Sequence, residues 1–361
     1  MDLFGDLPEP AKDKDTVEEN PIVSEAGSWG TDSIDFFSDL PLPSSATESR
    51  GIKRKLEENN SNEISSNNGE ETKEDLYSIQ GFFAEKKGER EEMQDFHVLV
   101  DDFHKQVPGL HPSVSRLSYY AVYDGHGGVR ASKFASCHLH QNLAQKFPKV
   151  PLPQIEKEIK RTLTEAFRKT DEEFLKQATK TKPSWKDGTT AIVVLALQNI
   201  LYIANLGDSK AILCRYSKKS GKYVAIPLSS DHSPQDYTER MRIQKAGGNV
   251  RDGRVMGVIE VSRSIGDGQY KALGITCIPD IKRCQLTDDD AFILLACDGL
   301  WKVFTSEEVL SIVLDSKKDN KSGPDAEICY ETACSRLVNE AIRKYSGDNV
   351  TVVIVSIKKH S

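Results

Sequence analysis

Asp124 stands where the apolar run Tyr119 to Tyr123 enters a glycine-rich turn, Asp124-Gly-His-Gly-Gly128. The run reads as a buried strand by its length and its Val and Tyr content, and the glycines let backbone and a ligand approach closely. The same arrangement recurs along the chain. Ala291-Phe-Ile-Leu-Leu-Ala-Cys297 runs into Asp298-Gly299, Asp348-Asn349 directly precedes the run Val350 to Ser356, and Leu201 to Leu206 leads into Gly207-Asp208-Ser209. Four carboxylates at the ends of four apolar strands can converge at one end of a sheet. Oxygen ligands of this kind suit hard divalent cations such as Mg²⁺ and Mn²⁺. They do not suit structural zinc, which takes Cys and His.

Taken together, Arg90-x-x-Met93-x-Asp95, Asp124-Gly-His-Gly-Gly128, Gly188-Thr-Thr-Ala191, Gly207-Asp-Ser209, Ser262-Arg-Ser-Ile-Gly-Asp267, Cys297-Asp-Gly-Leu-Trp301 and Asp348-Asn349 follow the order of motifs in the metal-dependent serine/threonine protein phosphatases of type 2C. The chain resembles that family over roughly residues 78 to 358. The resemblance implies hydrolysis of phosphoserine and phosphothreonine in proteins by direct attack of a metal-activated water, with no phospho-enzyme. It implies two Mg²⁺ or Mn²⁺ ions, with room for a third. Asp124 would bridge them with the Gly125 carbonyl beside it, Asp298 and Asp348 would complete one shell, and Asp208 would hold the weaker third ion. Asp95 would orient water from behind the ligands.

The planar fork of Arg90 suits bidentate phosphate binding. His126 titrates near neutral pH and can protonate the departing alkoxide. Thr190 and Asn349 are expected to hydrogen-bond near the substrate, and Asp267 to be either structural or ligating. Three departures from the family pattern stand out. Gln94 occupies a position where an acidic residue commonly helps hold the second ion, so weaker binding of that ion is expected. Lys302 stands where an acidic residue is common and Lys210 where Arg is common; neither is expected to touch the ligands.

These residues need a frame. Gly81 to Glu85, Phe96 to Val100, Tyr119 to Tyr123, Ala191 to Leu197, Leu201 to Asn205, Ala211 to Arg215 and the run after Asn349 read as strands, with Asn199 in a tight turn. Val129 to Phe147 reads as a helix, and Ile155, Ile159, Leu163, Phe167 and Phe174 recur at helical spacing along a longer one. Asp236 to Ala246 reads as a short amphipathic helix closed by Gly247-Gly248, Thr305-Ser-Glu-Glu308 as a capping box, and Ala326 to Tyr345 as a last helix. Strands and helices do not alternate regularly, which points to an α+β fold. The resemblance sharpens this to a four-layer sandwich: two mainly antiparallel sheets flanked by helices, the metals in the cleft, and a flap over about 229 to 261.

The charge distribution divides the 361 residues. Residues 1 to 75 carry 19 acidic and 7 basic side chains, a net of −12 against −7 for the whole chain, which leaves the rest at +5. The first 76 residues have few apolar runs and cannot bury enough surface to offset ordering, so a disordered acidic tail is expected, with the catalytic domain over 77 to 361. Leu3-Phe-Gly-Asp-Leu-Pro8 and Phe36-Phe-Ser-Asp-Leu-Pro41 offer Phe and Leu anchors to a tail-docking protein. A mildly basic body fits phosphoprotein substrates and lacks the dense Lys/Arg signature of a nucleic-acid binder.

Seven cysteines, an odd number without a Cys-x-x-Cys pair, argue for reduced thiols and an intracellular setting. The opening residues lack a secretory pattern, and no stretch has the apolar length of a membrane span. Cytoplasm is the expected location. Lys53-Arg54-Lys55 reads as solvated linker, and as an import signal it would add the nucleus. No cysteine nucleophile is required, since the one Cys-x5-Arg spacing, Cys277 to Arg283, holds no glycine, and no lysine-bearing Gly-rich loop supports a kinase. A monomer is expected. The rival reading is a non-catalytic scaffold acting through its tail; the intact set Asp124, Asp298, Asp348, Arg90 and His126 weighs against it.

Overall fold

The computed structural model describes residues 77–316 and 327–359, so the tail motifs and Lys53-Arg54-Lys55 lie outside the described residues. Two five-stranded antiparallel sheets form its centre. The first runs β1 (Ser78–Lys86), β15 (Val350–Lys358), β14 (Asp290–Ala296), β8 (Lys210–Ser217), β9 (Lys222–Pro227) in spatial order. The second runs β13 (Asp280–Gln285), β7 (Ile200–Leu206), β6 (Ala191–Leu197), β3 (Leu117–Tyr123), β2 (Phe96–Val100).

Because side chains alternate across a strand, each sheet feeds two apolar layers. Tyr120, Val122, Ile192, Val194 and Ile203 meet Leu213, Ile293, Leu295, Val353 and Val355 between the sheets. Tyr119, Ala121, Tyr123, Val193 and Leu195 point the other way, onto α1 (Arg130–Lys146) and α2 (Leu152–Ala178). On the far side Phe292, Leu294, Val352 and Ile354 pack under α6 (Ser306–Leu314) and α7 (Tyr330–Arg343). Helix, sheet, sheet, helix is the expected four-layer α+β sandwich. The central strands β3, β6 and β7 are buried at every position, which is why they read as unbroken apolar runs.

All five residues that marked the long helix, Ile155, Ile159, Leu163, Phe167 and Phe174, are buried along α2. Leu197 pairs with Ile200, leaving Gln198-Asn199 as a two-residue turn. At the start of α6 the Thr305 side chain accepts from the Glu308 amide while Glu308 caps the Thr305 N–H, as the sequence pattern predicts.

Two strands of the five-stranded sheets have no counterpart in the sequence reading. β9 and β13 each close one edge of a sheet and are largely exposed; β13, Asp-Ile-Lys-Arg-Cys-Gln, has no apolar run, and β9 has only the short Tyr223-Val-Ala-Ile226. The helix expected at Asp236 to Ala246 forms as α3 (Tyr237–Lys245) and ends at Gly247, φ +85°, with Gly248 N–H donating back to the Ile243 carbonyl. It is not held by an apolar stripe. Its buried positions are Glu239 and Ile243, and Glu239 is fixed by ion pairs to Arg242 and Arg263. Together with the hairpin β10 (Val250–Arg251) and β11 (Arg254–Val255), α3 makes the flap, whose later residues Val258 to Val261 line the cleft described next.

Candidate active site

Strand ends deliver the acidic groups to one cleft of about 530 Å³. Asp124 follows β3 and opens β4 (Gly125–His126); Asp208 follows β7; Asp298 starts the short helix α5 (Asp298–Trp301) after β14; Asp348 lies just before β15. β3 and β7 both run antiparallel to β6 and so point the same way, which brings Asp124 and Asp208 to the same end. Carboxylate oxygens of Asp124, Asp208 and Asp298 lie within 4.8 Å of one another. Those of Asp95 and Asp124 lie equally close together with the Cys297 sulfur. Arg90, Asp124, Gly125, His126, Thr190, Asp208, Asp298 and Asp348 all line the cleft.

Asp95 sits behind this group, buried, its Oδ2 accepting a hydrogen bond from Thr351 Oγ1 at 2.8 Å. Burial pushes the Asp95 carboxyl up to about 7, with Asp298 and Asp348 adding to the rise against hydrogen bonds from Thr351 and Cys297. Burial also lifts Asp208 to about 6, reinforced by Asp298. Asp124 is raised well above the ordinary range by burial and then by four neighbouring aspartates. Like charges packed this densely resist ionisation. A divalent cation among them reverses that repulsion, so the donor set fits Mg²⁺ or Mn²⁺.

Arg90 is carried on the loop between β1 and β2, with Nη2 2.9 Å from Asp348 Oδ2. Asn349 holds this loop rather than facing a substrate. Its Oδ1 accepts from Gln94 N at 2.8 Å, and its Nδ2 donates to the carbonyls of Lys87 at 2.7 Å and Glu92 at 3.0 Å. Those three bonds occupy both Nδ2 protons and one Oδ1 lone pair, which makes Asn349 a clamp on the Arg90 loop. Gly88, in the same loop at φ +67°, leaves no room for a Cβ, which would lie 2.2 Å from the Asp348 carbonyl oxygen.

Thr190 is similarly engaged. Its N–H donates to the Asp124 carbonyl at 2.9 Å, its Oγ1 accepts from Asp124 N at 3.3 Å, and that hydroxyl also meets Ser209 Oγ at 2.8 Å. It ties the Asp124 turn to the Asp208 turn.

His126 faces the cleft, and its Nε2 lies 2.7 Å from Asp267 Oδ2. Asp267 is fully buried and also accepts from Ser264 Oγ at 2.6 Å, so it holds the histidine ring. Burial alone would lower the His126 pKa, but the charge and hydrogen bond of Asp267 outweigh it and raise the value. The approach depends on Gly188, in β5 (Gly188–Thr189), because a Cβ there would sit 2.2 Å from Asp267 Oδ2 and 2.3 Å from His126 Nε2.

Two further placements differ from expectation. Lys302 does touch two of the expected ligands: its Nζ lies 2.5 Å from Asp298 Oδ2 and 3.3 Å from Asp348 Oδ2. The cause is helical, since Lys302 is four residues after Asp298 across α5 and so shares its face. Lys210 keeps away from the cleft acids and pairs with Asp231 at 3.0 Å. Lys186, Arg254, Glu260 and Gln269 also line the cleft; no sequence signal marked them, because loops and the flap bring them there.

A two-sheet sandwich with an acidic cleft, an arginine lining it and a carboxylate-held histidine is the arrangement of a class of metal-dependent phosphatases. The chain belongs to the protein phosphatase 2C family, whose model matches residues 79–350, and it is a serine/threonine protein phosphatase. The family depends on Mg²⁺ or Mn²⁺. The chain is 53% identical to bovine integrin-linked kinase-associated serine/threonine phosphatase 2C, over 99% of this chain and 100% of that one. It is 51% identical to the human protein of the same name at the same coverage. A rice relative, probable protein phosphatase 2C 67, is 39% identical over 78% of this chain and 76% of its own. Among solved structures, serine-threonine phosphatase 2C from Toxoplasma gondii superposes with a TM-score of 0.65 at 18% identity, covering 79% of this chain and 98% of that one, a likeness of fold.

Proposed function

We propose that the cleft hydrolyses phosphoserine and phosphothreonine by direct water attack at a dinuclear Mg²⁺ or Mn²⁺ centre. Asp124 and the Gly125 carbonyl, with Asp298 and Asp348, would hold the two ions, and Asp208 a weaker third. The observation that carries this reading is the convergence of Asp124, Asp208, Asp298 and Asp348 with Arg90 and His126 on one cleft. Bound ions of this type activate water at neutral pH and neutralise phosphoryl charge.

The protein's own groups do the rest. Arg90 receives the phosphate oxygens through its planar fork, and leaves Asp348 free to do so. His126 presents a proton to the serine or threonine oxygen as it departs, and Asp267 keeps the ring aimed at the cleft. Thr190 and Asn349 hold the turn and the loop that carry these groups. Gln94 contributes an amide where a carboxylate would add charge, so the second ion binds weakly.

The substrates are phosphoproteins, and the 53% identical relative is named for association with integrin-linked kinase. That name supports regulation of kinase signalling, with integrin-linked kinase as a partner and the tail motifs as the docking segment. Cytoplasm, with access to the nucleus, is the compartment this role requires, and a monomer is sufficient for it. Among the described residues no helix is long and apolar enough to cross a membrane.

The test is turnover of a phosphothreonine peptide by the full chain with Mg²⁺, with Mn²⁺ and with chelator. The reading expects turnover that chelator stops and added ion restores. Turnover that persists unchanged in chelator would overturn it.

A further inference from the structure

Lys302 is the residue of the cleft that the proposed chemistry leaves without a task. Its ammonium sits on two of the carboxylates assigned to the metal, 2.5 Å from Asp298 Oδ2 and 3.3 Å from Asp348 Oδ2. Asp348 Oδ2 receives Arg90 as well, at 2.9 Å. Among the described residues no ion pair reaches Asp124 or Asp208, so the direct ion pairs to the cleft aspartates fall on Asp298 and Asp348. The side chain of Lys302 is 51% exposed, against 17% for Asp298 and 23% for Asp348. A compact charge on a flexible four-carbon stem, open to solvent, can leave a carboxylate that is itself held in place.

We propose that Lys302 is a resident cation that competes with the divalent ion for Asp298 and Asp348, relieving their repulsion in the metal-free protein and lowering the affinity of the metal-loaded one. The inference rests on the reading of these two aspartates as ligands. An incoming ion must displace an ammonium already seated on Asp298 Oδ2, and the free energy of that contact is subtracted from binding. In a family centre filled by acidic groups, this lysine sets the cation concentration at which the site fills.

Calorimetric titration of Mg²⁺ and of Mn²⁺ into the metal-free full chain tests this, comparing wild type with Lys302→Met, Lys302→Arg and Lys210→Met. Lys302→Met keeps the stem and removes the charge; it is expected to bind the ion about three- to tenfold more tightly, the scale of one half-exposed charged contact. Lys302→Gln carries the same expectation at similar reach. Lys302→Arg is expected to stay near wild type. Lys210→Met removes the same charge from a lysine that pairs with Asp231 instead, and is expected to leave affinity near wild type. The melting temperature in chelator should fall in Lys302→Met, and its rise on adding Mn²⁺ should exceed that of wild type.

Wild-type or weaker affinity in both Lys302→Met and Lys302→Gln would overturn the proposal while leaving the metal site intact. Equal gains in Lys302→Met and Lys210→Met would also overturn it, as a general charge effect. Absence of binding in every protein, wild type included, would overturn the assignment of the ligands and the proposal with it.

Discussion

Asp267 lies fully buried behind His126, with its Oδ2 2.7 Å from the imidazole Nε2 and 2.6 Å from the Ser264 hydroxyl. A carboxylate so placed fixes the ring and favours its protonated form. Asp267→Asn keeps the shape and removes the charge, so the proton donor weakens. The loss should depend on the leaving group. Turnover of a phosphothreonine peptide, whose alkoxide needs a proton, is expected to fall about 10²-fold, while an aryl phosphate with an acidic phenol is expected to lose less than about fivefold. Equal losses on both substrates would remove the proton-donor role from this pair.

Asn349 clamps the loop that carries Arg90 through three hydrogen bonds. In Asn349→Ala the Gln94 amide and the Lys87 and Glu92 carbonyls lose a partner, which costs about 2 kcal/mol. A looser loop presents Arg90 less often in its binding pose, so KM for a phosphopeptide is expected to rise about tenfold with kcat reduced less. A change confined to kcat would place Asn349 in the chemistry instead. Thermal denaturation checks the stability term separately.

How much of this was legible beforehand differs by element. The ends of β3, β7, β14 and the start of β15 could be found because central strands are buried on both faces, and each apolar run stops at its aspartate. The outer strand β13 could not, because the charged side chains Asp280, Lys282 and Arg283 on its wet edge break the pattern. Arg90, Asp124, His126, Asp208, Asp298 and Asp348 were found from motif order and meet in the cleft. What Asn349 and Lys302 do was not legible. Asn349's partners lie more than 250 residues away along the chain, and Lys302 was judged by its departure from a pattern rather than by the helical spacing that places it on Asp298.

The flap rests on a charged anchor whose pH dependence has a definite sign. Glu239 is pulled well below the ordinary glutamate value of 4.5: burial opposes ionisation, but hydrogen bonds from Arg263, Arg242 and Ser262 overcome it. A carboxylate with a lowered folded pKa contributes stability above its unfolded value and loses it as pH falls toward the folded one. Glu239→Gln is therefore expected to cost about 2 kcal/mol at pH 7, where Arg242 loses its carboxylate and Arg263 keeps only Asp280. The gap between variant and wild type should narrow progressively below about pH 4.5. Urea denaturation from pH 7 to pH 3 reads this directly, and a gap that stays constant with pH would contradict the ion-pair account.

The central claim is that the cleft carboxylates are the metal centre of a phosphatase, and Asp124→Asn tests it most directly, with metal content and phosphothreonine-peptide turnover measured on the same sample. Asp124 is half-buried beside four other aspartates, so removing its charge should raise the melting temperature in chelator by relieving repulsion. The same change is expected to weaken Mn²⁺ binding and to lower kcat about 10³-fold in saturating peptide assays. A variant that binds Mn²⁺ as wild type does and retains turnover within tenfold would contradict the assignment of this cleft.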